Sequence, residues 1–162
     1  MVASSGRTRR FTPAEVNAKL QTEAEARVAY YARHPDQIER RLRELDAEWD
    51  IERAVETEAG TTVLAGFILG MTLSRKWYLL SVLAGSMLLL HNLYGNYPLL
   101  SVYRRLGFRT PEEIAQERYA LKALRGDFRR LAETQGEART TEAFNAAQPD
   151  GDTREESLMP II

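Results

Sequence analysis

The sequence contains no cysteine. This absence excludes disulfides, thiolate nucleophiles and cysteine-based metal sites together. The chain also lacks an excess of either charge, since 22 basic and 23 acidic residues leave a net charge of -1. We therefore expect no nucleic acid and no acidic substrate as partner. The first residues have no apolar core ahead of a cleavage site, so no cleavable signal peptide is expected.

Motifs of common enzymes and cofactor sites are missing as well. The sequence has no HExxH, no GxSxG, no P-loop, no dinucleotide-binding loop and no zinc-ligand spacing. We therefore expect a protein without enzymatic activity and without a cofactor or a metal. A chain of 162 residues leaves room for one domain.

Charge is absent from one long stretch, in which 27 consecutive residues, Trp77 to Tyr103, include no Asp, Glu, Lys or Arg. An apolar helix of about 20 residues, rising about 1.5 Å per residue, crosses roughly 30 Å of hydrocarbon. Residues 77–97 supply that length. The sequence therefore predicts a transmembrane helix here.

A second uncharged window, residues 59–74, precedes it. Extended back to Ala54, this window also reaches about 20 residues and leaves Glu56 and Glu58 near one end, where a charge costs less than at the bilayer centre. Only Ser74–Lys76 separates the two segments. We therefore predict an all-α integral membrane protein whose residues 54–103 form a two-helix hairpin. The alternative is a soluble bundle in which both segments are buried core helices.

Aromatic residues with a polar edge stand at both ends of the second predicted helix, where they would anchor it at headgroup depth. These interface anchors are Trp77, Tyr78, Tyr94 and Tyr103.

The flanks of the hairpin are strongly charged. We divide them into a mobile basic arm at 1–11, amphipathic helices at 12–53 and 104–133, and a disordered tail at 134–162. Anionic lipid could hold the arm loosely, or the arm is a solvated tail. The spacing of Ile38, Leu42, Leu45 and Trp49 gives a helix with one apolar seam that continues without a break into the hairpin. This seam packs on another helix or lies flat on the membrane, and its mixed charges favour packing.

Small residues at helical spacing occur in both membrane segments. Gly66 and Gly70 make one pair, and Ser81 and Gly85 make another. Small side chains let helix backbones approach closely in lipid. The two pairs predict either packing within the hairpin or an interface between copies of the chain, and both can hold.

The polar residues near the end of the second helix are His91, Asn92, Asn96 and Tyr97. An ionisable residue in a membrane helix is a candidate for haem ligation, proton relay or the lining of a solute path. His91 lies within about two turns of the helix end, so the structural alternative is a bond to interfacial water or to a carbonyl freed by the Pro98 break.

The order of motifs from Ile38 to Phe128 resembles the YgaP-like inner-membrane family, a transmembrane domain of unknown function. The resemblance is carried by L-D-A-E-W-D-I-E-R-A, G-N-Y-P, R-R-L-G-F-R-T-P-E-E-I and E-R-Y-A-L-K-A-L-R-G-D-F. It implies a transmembrane hairpin that self-associates and is often fused to, or encoded near, rhodanese sulfur-transfer domains. Tyr97 stands where many relatives have Cys, and no rhodanese active-site loop is present.

These observations predict a membrane anchor or an assembly subunit of the bacterial inner membrane, in contact with the lipid bilayer and with copies of itself or a membrane protein complex. Basic residues remain cytoplasmic next to membrane helices. Arg53, Arg104, Arg105 and Arg109 outnumber Arg75 and Lys76 in the loop, which predicts cytoplasmic termini. The alternative function is an oligomeric conduit for a small solute or anion, with His91, Asn92 and Asn96 at its mouth.

Overall fold

The computed structural model describes residues 4–149, and all regular secondary structure in that part of the chain is helical. The predicted all-α class is thus confirmed. The described helices are α1 (Ser4–Arg10), α2 (Ala14–Arg33), α3 (Ile38–Ala47), α4 (Ile51–Thr72), α5 (Tyr78–Tyr94), α6 (Leu100–Arg105), α7 (Pro111–Arg125), α8 (Arg130–Glu133) and α9 (Gly136–Ala147). Short 3₁₀ turns at Pro35–Gln37 and Arg75–Trp77 precede α3 and α5.

The chain divides into two compact units. The first unit comprises Met1–Gln21 and Trp49–Glu113, and the second comprises Thr22–Glu48 and Ile114–Ile162.

In the first unit, local chemistry sets the ends of α4 and α5. Asp50 caps α4 by accepting a hydrogen bond from the backbone N–H of Arg53 at 2.8 Å, as is typical of an N-cap aspartate. Gly95 ends α5 in a left-handed conformation, with φ of 76°, and donates its N–H to the His91 carbonyl at 2.6 Å. Glycine adopts this conformation without a steric penalty.

The cap at Asp50 corrects one prediction. We expected the helix of Ile38 to continue into the hairpin, but α3 ends at Ala47 and α4 begins at Ile51. The side chain of Asp50 offers the backbone a partner that replaces the helical bond, which is why aspartate favours helix starts over helix interiors.

The α4–α5 pair packs in antiparallel orientation, and the chain that follows it folds back onto its base. A hydrophobic cluster joins the start of α4 to the segment after α5, and its buried members are Ile51, Val55, Tyr97 and Leu100. The backbone N–H of Ile51 also donates to the Arg109 carbonyl at 2.9 Å. The base of the pair, opposite the turn at 73–77, is therefore held by both apolar contacts and a backbone hydrogen bond.

The start of α7 is a capping box, which the residue order Thr110-Pro111-Glu112-Glu113 indicates. The Glu113 carboxylate accepts a hydrogen bond from the Thr110 backbone N–H at 3.0 Å, and the Thr110 hydroxyl accepts one from the Glu113 N–H at 3.3 Å. Two otherwise unsatisfied helix donors are thus satisfied reciprocally.

The second unit has a core of large aliphatic side chains, namely Ile38, Leu42, Leu45, Ile114 and Leu121. The seam of α3 is therefore buried against a helix, in agreement with the packing alternative. Trp49, which we placed in the same seam, lies beyond the end of α3 and is 46% exposed.

Both predicted flexible ends contain helix. Helix α1 occupies most of the predicted basic arm, and α9 occupies part of the predicted tail. Side-chain capping contributes to α9, because the Lys122 ammonium donates to the carbonyls of Ala146 at 3.2 Å and of Gln148. A cation near the last helical carbonyls is stabilising. The remainder of the predicted tail, from residue 150, lies outside the described residues.

Candidate functional site

One described helix is long and apolar enough to cross a membrane. It is the 20-residue stretch Arg75–Tyr94, which includes α5, and only 11% of its apolar window is buried inside the structure. A core helix of a soluble protein would be mostly covered by other side chains. Helix α4 is long enough, with 22 residues, but it is not apolar enough by the same criteria, because four charged residues lie in its first two turns. These residues are Glu52, Arg53, Glu56 and Glu58.

The close contact between α4 and α5 depends on glycine residues. A Cβ atom at Gly66 would lie 2.7 Å from the Ser81 hydroxyl and 2.8 Å from the Ser81 backbone nitrogen. The Ser81 hydroxyl also donates to the Val63 carbonyl at 2.8 Å. At Gly70 an added Cβ would meet the Tyr78 ring at 2.5 Å. Gly66 and Gly70 therefore allow an approach that larger residues would prevent.

Three of the four predicted packing residues thus lie in close contact within one chain. The fourth, Gly85, is looser, since an added Cβ would lie 3.9 Å from Val63, an ordinary van der Waals distance. The geometry accounts for these residues by packing inside the hairpin, which was one of the two alternatives. A second role between copies of the chain stays a prediction.

The predicted polar cluster is split by the structure. His91 and Tyr97 are buried and their rings meet edge to face at 5.7 Å between centroids. Asn92 and Asn96 are exposed. The structure therefore brings His91 together with Tyr97 and leaves both amides on the surface.

A half-buried carboxylate, Glu58, which the sequence did not indicate as a partner, contacts this pair. The Tyr97 hydroxyl donates to Glu58, although the two residues are 39 positions apart. The Thr62 hydroxyl donates to the same carboxylate at 3.2 Å. Spacing reveals the contact between Glu58 and Thr62, which lie one helical turn apart. No sequence signal identifies Tyr97 as the other partner.

These polar groups lie at one level of the helix pair. Glu58 is 14 residues before the end of α4 at Thr72, and His91 is 13 residues after the start of α5 at Tyr78. At about 1.5 Å per residue, both lie roughly 20 Å from the turn. The arrangement can fix the two helices and the following segment in register through hydrogen bonds that are strongest where water is scarce.

The four predicted anchors divide into two kinds. Trp77 and Tyr94 are exposed, as an interfacial anchor must be. Tyr78 packs on Gly70 and lies 5.9 Å from the Phe67 ring, whereas Tyr103 packs edge to face on Phe108 at 5.5 Å. Tyr78 and Tyr103 therefore contribute to packing inside the first unit.

A buried arginine holds the base of the helix pair. The Arg104 guanidinium donates to both oxygens of Glu113, at 2.6 and 2.8 Å, and to the amide oxygen of Asn17 at 3.0 Å. Burial raises the pKa of Glu113, but hydrogen bonds from Arg104 and the Thr110 backbone outweigh it and lower the pKa below its ordinary value of 4.5. Glu113 is thus held in its charged form.

Nothing in the described part of the chain resembles a metal site, because no three His, Asp or Glu side chains there are grouped so as to hold an ion. Comparison of the chain with known protein families, with curated proteins and with solved structures found no match. The resemblance to the YgaP-like family therefore stays a prediction based on the quoted motifs.

Proposed function

We propose that this chain is a small integral membrane protein of the bacterial inner membrane, in which α4 and α5 cross the bilayer as a hairpin. It acts without catalysis, as a membrane anchor or assembly subunit. The observation that carries the proposal is the exposure of α5, a charge-free helix with only 11% of its apolar window buried. Leaving such a surface in water is costly, and lipid removes that cost.

The contacts of helix α4 are also compatible with a position in the lipid bilayer. Its apolar outer face is exposed, at Leu64, Phe67, Ile68 and Met71. The charge of Glu58 is met by two hydroxyl donors, and Glu52, Arg53 and Glu56 lie closer to the end of the helix, where charged groups reach the interface. These features support a second span in spite of its polar first turns.

Self-association is the second part of the proposal. Gly66 and Gly70 already form the contact between α4 and α5 within one chain. A contact between copies would therefore use the outer face of α5, where Ser86 and Asn92 are exposed among leucines. Side-chain amides and hydroxyls in hydrocarbon associate with polar groups of other helices. A second copy of the chain, or another membrane protein, would satisfy them.

Membrane integration is tested by extraction. We expect the full chain to stay in the membrane fraction in alkaline carbonate and in high salt, because hydrocarbon burial resists both treatments. Release of the protein by either treatment would contradict the proposal.

Orientation is tested by labelling, and the chain has no native cysteine that would interfere. Cysteine is introduced by Ser74→Cys in the turn and, separately, by Thr134→Cys after α8. An impermeant thiol reagent added to intact cells should label the first variant and spare the second, since the termini are proposed to be cytoplasmic. Labelling of the Thr134→Cys variant alone would mean an inverted hairpin. Labelling of neither until lysis would contradict a hairpin that crosses the membrane.

A further inference from the structure

Segments that are distant in sequence converge at the base of the α4–α5 pair. Arg104 bonds to Asn17 at 3.0 Å and to Glu113, and the Arg9 guanidinium lies 3.9 Å from the same Glu113 carboxylate. The Ile51 N–H donates to the Arg109 carbonyl. The end of α1, the start of α4 and the end of α6 therefore lie together, and each of them carries arginine.

The arginines at this base differ in their exposure to solvent. Arg104 and Arg109 are buried and belong to the packing of the unit. Four others are exposed, and we name them the arginine collar: Arg9, Arg10, Arg53 and Arg105. Within the collar, Arg53 stacks over the Trp49 ring at 4.5 Å, a contact that leaves the edge of the guanidinium able to donate.

Large apolar side chains are exposed in the same segments as the collar, and they are Phe11, Trp49, Leu99, Val102 and Leu106. Exposed arginines interleaved with exposed aromatic and aliphatic groups are typical of a membrane interface. A nucleic acid or an acidic protein would satisfy the charges alone. A lipid satisfies both, because its phosphate meets the guanidinium groups and its acyl chain covers the apolar groups.

Acidic residues at this end do not cancel the collar. Asp50 caps α4 and Glu113 is bonded to Arg104. Glu52 is half-buried, while Glu15, Glu56 and Glu112 are exposed. Four exposed arginines therefore stand against three exposed carboxylates.

We propose that the arginine collar binds the phosphate groups of anionic phospholipids in the leaflet that surrounds the base of the helix pair. This inference rests on the proposed membrane insertion. It adds a partner of defined chemistry and names the residues that select it. Guanidinium groups suit it because each presents several donors to phosphate oxygens.

The test uses the full chain in nanodiscs of phosphatidylcholine, alone or mixed with phosphatidylglycerol. The measurement is the amount of phosphatidylglycerol that stays bound to the protein in native mass spectrometry. The collar variant carries Arg10→Gln, Arg53→Gln and Arg105→Gln. Its matched control carries Arg33→Gln, Arg40→Gln and Arg43→Gln, which changes the net charge equally at exposed residues of the second unit.

We expect the wild-type chain and the control to retain phosphatidylglycerol, and the collar variant to lose affinity by about fivefold per arginine, the factor typical of a basic residue at an anionic membrane surface. Retention by the wild-type chain should also weaken as salt is raised, a readout that does not depend on any variant. Equal retention by collar variant and control would overturn the proposal, as would retention by the wild-type chain that is insensitive to salt.

Two further arms separate the causes of a negative result. Inorganic phosphate is added to the wild-type chain in phosphatidylcholine nanodiscs, and a rise in thermal stability equal to that produced by phosphatidylglycerol would show a site for free phosphate and overturn the lipid proposal. Carbonate extraction is repeated on all three chains. Release of the wild-type chain would count against the membrane proposal itself, whereas retention of all three together with equal lipid binding would count against the collar alone.

Discussion

The two units of this chain differ in which side chains they bury and which they expose. The second unit buries large aliphatic side chains, such as Leu42 and Leu121, and leaves most of its described charged residues exposed, with Glu117 and Lys122 as the buried exceptions. In the first unit, the α4–α5 contact is made by glycine and serine, while leucines point outward from α5. The first pattern is that of a protein in water, and the second is that of helices in lipid, where close backbone packing replaces the hydrophobic effect as the driving force.

One hydrogen-bonded carboxylate of each unit shows the same difference. Glu117, in the second unit, accepts hydrogen bonds from Arg27 at 3.1 Å and from Arg41 at 2.9 Å. Glu58, in the first unit, accepts hydrogen bonds from the hydroxyl groups of Thr62 and Tyr97. Full charges surround the carboxylate in one unit and neutral donors surround it in the other. Burying a charge is costly unless it is paired, which agrees with the arginine partners of the fully buried Glu117 and with the partial exposure of Glu58.

The largest expected effect is that of a substitution in the core of the second unit, compared with one on the exposed face of α5. Leu42→Ala should lower the free energy of unfolding by about 3 kcal/mol, because it leaves a cavity among fully buried side chains. Leu89→Ala, on the outer face of α5 and 64% exposed, should change it little. Denaturant unfolding of both variants in mild detergent measures the difference. A comparable loss for Leu89→Ala would mean that α5 belongs to a protein core.

The next effect concerns the glycine contact. Gly66→Ala should destabilise the α4–α5 pair by about 2 kcal/mol, because the new methyl group meets the Ser81 backbone and forces the helices apart. Gly60→Ala is the matched control, since it lies in the same helix with no atom within 4 Å of the added group. Gly60→Ala should raise the free energy of unfolding by up to about 1 kcal/mol, because alanine has a higher helix propensity than glycine. Thermal unfolding in detergent checks both, and equal behaviour would show that the two helices do not pack at Gly66.

A smaller effect is expected at the polar contact of the first unit. Tyr97→Phe removes the hydroxyl that donates to Glu58 and should cost about 1 kcal/mol, the usual net contribution of such a bond. Tyr94→Phe is the control, because that ring is exposed. Chemical unfolding compares the two variants. The contact has no energetic role if both match the wild-type chain.

The smallest effect is a pH dependence at Glu113. Its pKa is lowered in the folded chain, so its contribution to stability is complete above the ordinary value of 4.5 and is lost as the pH falls through the lowered folded value. Wild-type stability should therefore fall more steeply on acidification below 4.5 than that of Glu113→Gln. Glu112→Gln, at an exposed neighbour, should keep the wild-type slope. Parallel curves for all three chains would contradict the pairing of Glu113 with Arg104.

Sequence reasoning succeeded where the determining interactions are local. The Thr110 capping box, the end of α5 just before the Pro98 break and the apolar seam of α3 each depend on residues within a few turns of one another, and all three are present. Local signals were also available at Asp50, whose capping role we missed because the surrounding residues favour helix on average.

The polar contacts of the candidate site were out of reach for a different reason. Glu58 and Tyr97 meet only because the chain after Gly95 folds back onto α4. Arg104 reaches Asn17, 87 positions away, by the same folding of the base. Such pairs follow from the arrangement of helices, which the periodicity of a single segment does not encode.

The fixed ends of α5 have a consequence for bilayer thickness. Its regular part has 17 residues, about 26 Å at the helical rise, somewhat less than the roughly 30 Å of a typical hydrocarbon core. Gly95 prevents extension at one end and the turn at 73–77 prevents it at the other. Because its apolar length is slightly short, the hairpin should lie nearly parallel to the bilayer normal and thin the bilayer around it. The proposed protein should therefore favour thin membranes over thick ones.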